Sequence, residues 1–189
     1  MSKIRLTPNA SGTGTVTLTV PNTNTDRTIT LPDNSGDIIT SATPPDANTI
    51  LQVKQFAYSG QRSSNNNTAI DTNLTLDITP SSTSSKILMT VHQTGLHKQS
   101  GDTAVVLRAV RVLGGVQTNL GGNFEVFGGK SYTTVAIGSS GASCVYLDSP
   151  NTTSTVTYKT QFWSRDNRNE VFTQVAGAQS TMVLMELAG

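Results

Sequence analysis

Leu74-Thr75-Leu76-Asp77-Ile78-Thr79 is followed by Pro80-Ser81-Ser82-Thr83-Ser84-Ser85 and then by the run Lys86 to Thr94. The first stretch alternates apolar and polar side chains at every step. Successive strand residues point to opposite faces, so Leu74, Leu76 and Ile78 share one face and Thr75, Asp77 and Thr79 the other. That is the pattern of a half-buried strand. The proline–serine run reads as a turn, because these residues favour turn backbones over ladder pairing. Strand, turn, strand is the unit of an antiparallel fold, and it recurs along the chain.

Upstream, Ile50 to Tyr58 reads as a strand closed by Ser59-Gly60, with Gln61 to Thr68 as a polar loop. Downstream, Ala104 to Leu113 is a strand, separated from Lys86–Thr94 by an expected loop from Gly95 to Thr103. Gly114-Gly115, Gly121-Gly122 and Gly128-Gly129 recur every seven residues and predict tight hairpins between short strands. Further strands are expected at Tyr132–Gly138, Ala142–Leu147, Ser154–Trp163, Val171–Thr173 and Thr181–Leu187, with no helix. About ten strands with turn signals between them predict an all-β fold, an antiparallel β-sandwich of jelly-roll type over residues 49–189. The pattern leaves the connectivity open.

The N-terminal part has a different texture. Thr17-Leu18-Thr19-Val20-Pro21-Asn22 returns eleven residues later as Thr28-Ile29-Thr30-Leu31-Pro32-Asp33, and Asp37–Thr40 is a candidate third strand. Val16, Leu18 and Val20 share one face, and each copy is stopped by a proline, which cannot donate to a ladder. So small a segment buries too little apolar surface to be stable alone. Residues 1–42 therefore read as a β-repeat attachment segment, ordered against copies of itself or a larger particle. Its attachment residues are Val16, Leu18, Val20, Pro21, Ile29, Leu31 and Pro32. Residues 43–48, with Pro44-Pro45, read as a stiff linker.

Charged residues are 13% of the 189-residue chain, about half the usual share, and Thr, Ser, Asn and Gly fill their place. A net charge of +1 gives no bulk attraction to nucleic acid or an anionic membrane. Lys3 and Arg5 are not followed by an apolar core, and no stretch approaches the roughly 18 apolar residues of a membrane helix, so neither signal peptide nor membrane insertion is expected. The single cysteine, Cys144, excludes an intramolecular disulfide and reads as a small core residue.

Catalytic chemistry finds little support. His92 and His97 have no cysteine or acidic cluster near them in sequence, so neither metal nor cofactor is expected; a ring of His97 imidazoles about a symmetry axis is the alternative to ordinary loop histidines. No Gly-x-Ser-x-Gly elbow occurs. Asp71, Asp77, Asp148, Asp166 and Glu170 are expected mostly in turns, which leaves no evident carboxylate pair for glycan cleavage. The chain is expected not to be an enzyme. One aromatic pair meets a charge cluster, at Phe162-Trp163-Ser164-Arg165-Asp166-Asn167-Arg168-Asn169-Glu170. It reads either as an exposed recognition loop, with Trp163, Arg165, Asp166 and Arg168 gripping a sugar or partner, or as a strand end with Phe162 or Trp163 in the core. Arg108 and Arg111 fall on opposite strand faces, so one points inward or into an interface and needs a partner, with Glu125, Asp148 and Glu186 as candidates.

The duplicated N-terminal phrase with Asp33-Asn34-Ser35-Gly36-Asp37 resembles the N-terminal repeats of tailed-bacteriophage fibre proteins. The run Ile78-Thr79-Pro80-Ser81-Ser82-Thr83-Ser84-Ser85-Lys86-Ile87-Leu88 is similar to a phrase in the C-terminal β-domains of phage structural proteins, especially those of aquatic phages. Tyr146-Leu147-Asp148-Ser149-Pro150-Asn151-Thr152-Thr153 and Met182-Val183-Leu184-Met185-Glu186-Leu187 belong to the same resemblance. It implies a virion component assembled in the host cytoplasm, commonly a homotrimer, with an N-terminal anchor on the major capsid protein or on a tail or portal component and a distal β-sandwich knob. Such a chain without a shaft suits a capsid decoration (cement) protein or a short fibre. The alternative is a tail-fibre, receptor-binding knob that recognises a host surface glycan.

Overall fold

The computed structural model of the chain describes residues 11–13, 17, 24, 45–99, 101, 103–127, 137–167 and 169–189. The chain divides into two compact units, Met1–Ser41 and Ala42–Gly189. Val16, Leu18, Val20, Pro21, Ile29, Leu31 and Pro32 lie outside the described residues, as do the strand expected at Asp37–Thr40 and the Gly128-Gly129 turn.

The second unit contains β1 (Ile50–Tyr58), β2 (Arg62–Ser64), β3 (Ile70–Ile78), β4 (Lys86–Lys98), β5 (Val105–Leu113), β6 (Val116–Phe127), β7 (Ile137–Asp148), β8 (Val156–Ser164), β9 (Val171–Thr173) and β10 (Ser180–Leu187), with one 3-10 turn at Val175–Gly177. Every described strand pairing is antiparallel. β1 and β2 are successive parts of one strand path, and β9 and β10 of another. The first sheet runs β1/β2, β10/β9, β4, β7; the second runs β3, β8, β5, β6. The pairs β1–β10, β3–β8, β4–β7 and β5–β6 make the chain one long folded ribbon. The additional pairs β10–β4 and β8–β5 wrap that ribbon into two packed sheets. This is the winding of an eight-path jelly roll, a β-sandwich as the alternation implied.

The ribbon's tip is the turn between Leu113 and Val116, where Gly114 and Gly115 have φ of 56° and 79°. A two-residue hairpin of this hand needs positive φ at both central positions, which glycine supplies at least cost. Gly121-Gly122 is different. It lies inside β6, where the register slips so that Arg108 faces Asn123 while Ala109 faces Leu120: a bulge rather than the expected hairpin. Two expected loops also contain strand. Arg62–Ser64 in the Gln61–Thr68 stretch pairs with β9, and β4 continues past Gly95 to Lys98. Gly95 (φ 60°) breaks the alternation without ending the strand, and Thr94 accepts the backbone N–H of Gln174 beside it.

The interior holds two apolar clusters. Leu74, Ile78, Ile87, Met89, Val91, Val156, Tyr158, Met182 and Leu184 belong to the first; Leu96, Val105, Leu107, Phe162 and Val171 belong to the second. Buried polar side chains link the sheets between them. Thr72 on β3 and Thr160 on β8 share a 2.6 Å hydrogen bond, Thr160 donates to Gln93 on β4, and Gln93 donates to Ser180 on β10. Each group has a partner, as groups at zero exposure must to avoid the cost of desolvation.

Two buried carboxylates flank Ile87 in one row of the first sheet. Arg111 points inward and donates to Asp148 at 2.9 and 3.0 Å, and the Tyr158 hydroxyl donates to the same carboxylate at 2.7 Å. Of the three partners open to an inward arginine, the structure selects Asp148. Glu186 on β10 reaches the turn between β3 and β4. Its Oε1 accepts the Ser81 N–H (2.6 Å), the Ser81 hydroxyl (2.6 Å) and the Ser85 hydroxyl (2.7 Å), and its Oε2 accepts Gln52 Nε2 (2.5 Å).

Candidate functional site

The two sheets present chemically opposite outer faces. On the second sheet, alternation places Thr157, Lys159, Gln161 and Trp163 of β8 outward, while Tyr158, Thr160 and Phe162 point in. Gln161 is the hub. Its Oε1 accepts Arg108 Nε (2.9 Å) and Nη2 (2.7 Å), and it exchanges hydrogen bonds with Gln117 at 3.2 and 3.3 Å. Its Nε2 donates to Asp71 at 2.7 Å, and Lys159 donates to the other Asp71 oxygen at 2.8 Å. The Arg108 guanidinium sits 5.4 Å from the centre of the Trp163 ring, a cation–π contact. These side chains hold one another in fixed orientation.

Beside this network β3 departs from a regular ladder. Asp71 faces Gln161 and Thr75 faces Lys159, so β3 spends four residues where β8 spends two. Asn73 takes φ of 68° within the excess, a conformation asparagine tolerates. The bulge flanks a depression of about 420 Å³ lined by Asp71, Asn73, Thr75, Val112, Thr157 and Lys159.

The first sheet's outer face is apolar along one row and mixed, but uncharged, along the next. Register places Val53, Met185, Leu88 and Leu147 in one row across four strands, and Gln55, Val183, Thr90 and Val145 in the next. Ile50 and Val53 are 55% exposed, Val145 66% and Leu147 49%. Monomers seldom leave so many neighbouring apolar side chains in water.

Of the expected recognition residues, Trp163 stands on the second sheet's outer face with Arg108, and Phe162 fills the core. Arg165 and Asp166 follow β8 in a turn and pair with each other at 3.0 Å. Arg168 lies outside the described residues. The aromatic is thus partnered with the sheet face. Asp77 lies on β3 as the alternation placed it, whereas Asp71 lies on β3 and Asp148 ends β7 rather than in turns, because the strands extend beyond their apolar runs. Gln117, Lys159 and Gln161 were not singled out by sequence, and Asp71 only as one of five scattered carboxylates; the every-second-residue series Thr157, Lys159, Gln161, Trp163 is the signal that marks the face.

His92 and His97 lie on β4, the latter in strand rather than in a loop. His92 shares a 2.9 Å hydrogen bond with Ser143, and His97 packs at a tilt against Phe172. Among the described residues no three potential metal-ligating side chains come together, and no described helix is long and apolar enough to cross a membrane. Burial pushes the Tyr158 hydroxyl well above its ordinary range, and the Asp148 carboxylate adds to the effect. Burial likewise raises the half-buried Cys144 thiol. At Glu186 burial alone would raise the pKa, but hydrogen bonds from Ser81, Gln52 and Ser85 outweigh it and hold the carboxyl below its ordinary 4.5. These last groups are satisfied inside the fold, whereas the Asp71–Lys159 pair borders open space.

No protein-family model matches the chain, and no curated protein matches it significantly.

Proposed function

We propose that the chain is a non-enzymatic structural protein of a tailed-phage particle, displayed on the particle surface as a capsid decoration protein or short fibre. Residues 1–42 anchor it to the capsid or to a tail or portal component, and the jelly roll forms the outer knob. The observation that carries this reading is the apolar outer face of β1, β10, β4 and β7. Between Lys86 and His92 its described outward positions hold no charged residue, so copies of the chain can bury this face against one another without opposing like charges. A homotrimer assembled through it fits a particle component. Two further points agree. Jelly rolls are an architecture of viral capsid and lectin domains. Glu186 also ties together two of the phage-like phrases, the Pro80–Ser85 turn and the C-terminal strand.

Light scattering on the full chain should give a trimer, and Val145→Lys with Leu147→Lys should yield a folded monomer. A monomeric parent protein overturns the self-association. Imaging of purified particles should locate the chain on their surface, and its absence there refutes the virion assignment. Loss of the gene should weaken capsids to heat or low salt if the chain is a cement, and lower adsorption if it is a fibre.

The second reading, a knob that recognises a host surface glycan, is favoured by the polar face of the other sheet, with its fixed Arg108–Gln161–Asp71 network and Trp163. A glycan array probed with the full-length protein tests it.

A further inference from the structure

We infer that the depression beside Asp71 and Lys159 is a saccharide subsite for a neutral, polyhydroxylated ring. The assignment rests on the glycan reading of this face and adds the place and the ligand class. The volume of about 420 Å³ lies within the roughly 300–1,000 Å³ of small-ligand sites.

Three features give the site its chemistry. First, the Asp71 carboxylate is oriented before any ligand arrives: Gln161 holds one oxygen and Lys159 the other, and Arg108 and Gln117 fix Gln161 in turn. Its side chain is still 42% exposed, so each oxygen keeps lone-pair capacity for an incoming hydroxyl. Second, the bulge at Asn73 brings Asn73 and Thr75 to the rim, opposite Thr157 and Lys159. Bulges re-aim side chains in this way next to functional sites. Carboxylate, ammonium, amide and hydroxyls supply both donors and acceptors, which matches hydroxyls that do both. Val112 gives the floor an apolar patch for ring C–H groups. Third, one negative and one positive group offset each other. An anionic sugar would meet Asp71 and a cationic ligand Lys159, so the pair favours an uncharged ring.

Trp163 lies four residues along β8 from Lys159, about 13 Å at strand rise. It stands too far away to stack on a ring in the depression, which separates this subsite from the loop first suspected.

The test uses the full-length protein on an array of neutral, sialylated and uronic-acid glycans, followed by titration of the best neutral glycan. Asp71→Asn and Lys159→Met should each weaken binding on the order of tenfold, the effect of about 1.4 kcal/mol. Thr75→Lys should abolish binding by filling the depression while leaving the Asp71–Gln161–Arg108 network intact; its melting temperature checks folding. Glycan binding that all three depression variants retain overturns the subsite and leaves the glycan reading standing. A preference for acidic glycans overturns the neutral class. Binding to no glycan overturns the reading and the subsite together.

Discussion

Replacing Glu186 by glutamine isolates the charge of one buried carboxylate. Glu186 has no exposure to water and accepts four hydrogen bonds, three on Oε1 and one on Oε2. Hydrogen bonds to a charged group contribute roughly 1.5–3 kcal/mol and neutral ones roughly 0.5–1.5. An amide oxygen in the Oε1 position keeps three neutral bonds, at a loss of about 1 kcal/mol each. The amide nitrogen then faces Gln52 Nε2, donor against donor. Gln52 must turn its own amide, giving up its 2.8 Å bond to the Thr79 carbonyl, for about 1 kcal/mol more. The neutral amide is easier to bury than the carboxylate, which returns part of the loss, so the net destabilisation is about 2–3 kcal/mol. For a unit of this size that lowers Tm by about 5–10 °C at neutral pH. The folded carboxyl titrates below its ordinary 4.5, so its contribution is fully present above pH 4.5 and is lost as pH falls through the folded value. Thermal unfolding of parent and Glu186→Gln from pH 7 downward should therefore show a gap that narrows below pH 4.5. Equal Tm values at pH 7, or a gap unchanged at pH 3, would refute the reasoning.

Asp148→Asn should cost about 2–4 kcal/mol in denaturant titrations, because Arg111 keeps a charge inside the sandwich with a weakened partner; a cost under about 0.5 kcal/mol would mean the pair is screened. Above pH 10 the parent protein should lose stability that Tyr158→Phe does not lose. A hydroxyl with a raised folded pKa contributes below its unfolded value of 10 and ceases to as pH rises beyond it, and parallel alkaline profiles would contradict this. Gly95→Ala should destabilise by about 2 kcal/mol or more, since it needs φ of 60° and places a methyl 2.5 Å from the Val175 backbone nitrogen; circular dichroism melts showing no change would place the bulge elsewhere.

Short apolar-rich runs bounded by turn or polar residues were legible in the sequence as strands. Ile50–Tyr58 and Val171–Thr173 match residue for residue, and Ser180–Leu187 within one. What failed was the reading of breaks. Gly95 and Gly121-Gly122 signal a positive or permissive backbone, and a bulge uses it as well as a turn does. Only the partner strand decides between the two, and that partner is distant in sequence. That one of Arg108 and Arg111 turns inward was legible, because an offset of three positions puts them on opposite strand faces; that it is Arg111 needed the β5–β8 register. The depression was not: Asp71 and Lys159 are brought together by the β3–β8 pairing, and the bulge at Asn73 leaves no mark beyond an asparagine in a Thr-rich run. The apolar outer face was hidden for a related reason. Val53, Met185, Leu88 and Leu147 each sit in runs that look like ordinary core, and only cross-strand register shows that they line up on the side away from it.

The pairing of β1 with β10 also governs how the molecule is made. Ile50 is made long before Leu187 and must wait for it before its ladder exists. β4 waits too, because one of its flanks belongs to β10. On the ribosome, then, the sandwich cannot close before β10 has emerged: β1 and one edge of β4 stay unpaired until that point. Closure is slowed by the high sequence separation of these contacts, and nascent chains on a crowded polysome are at their most adhesive just before β10 emerges.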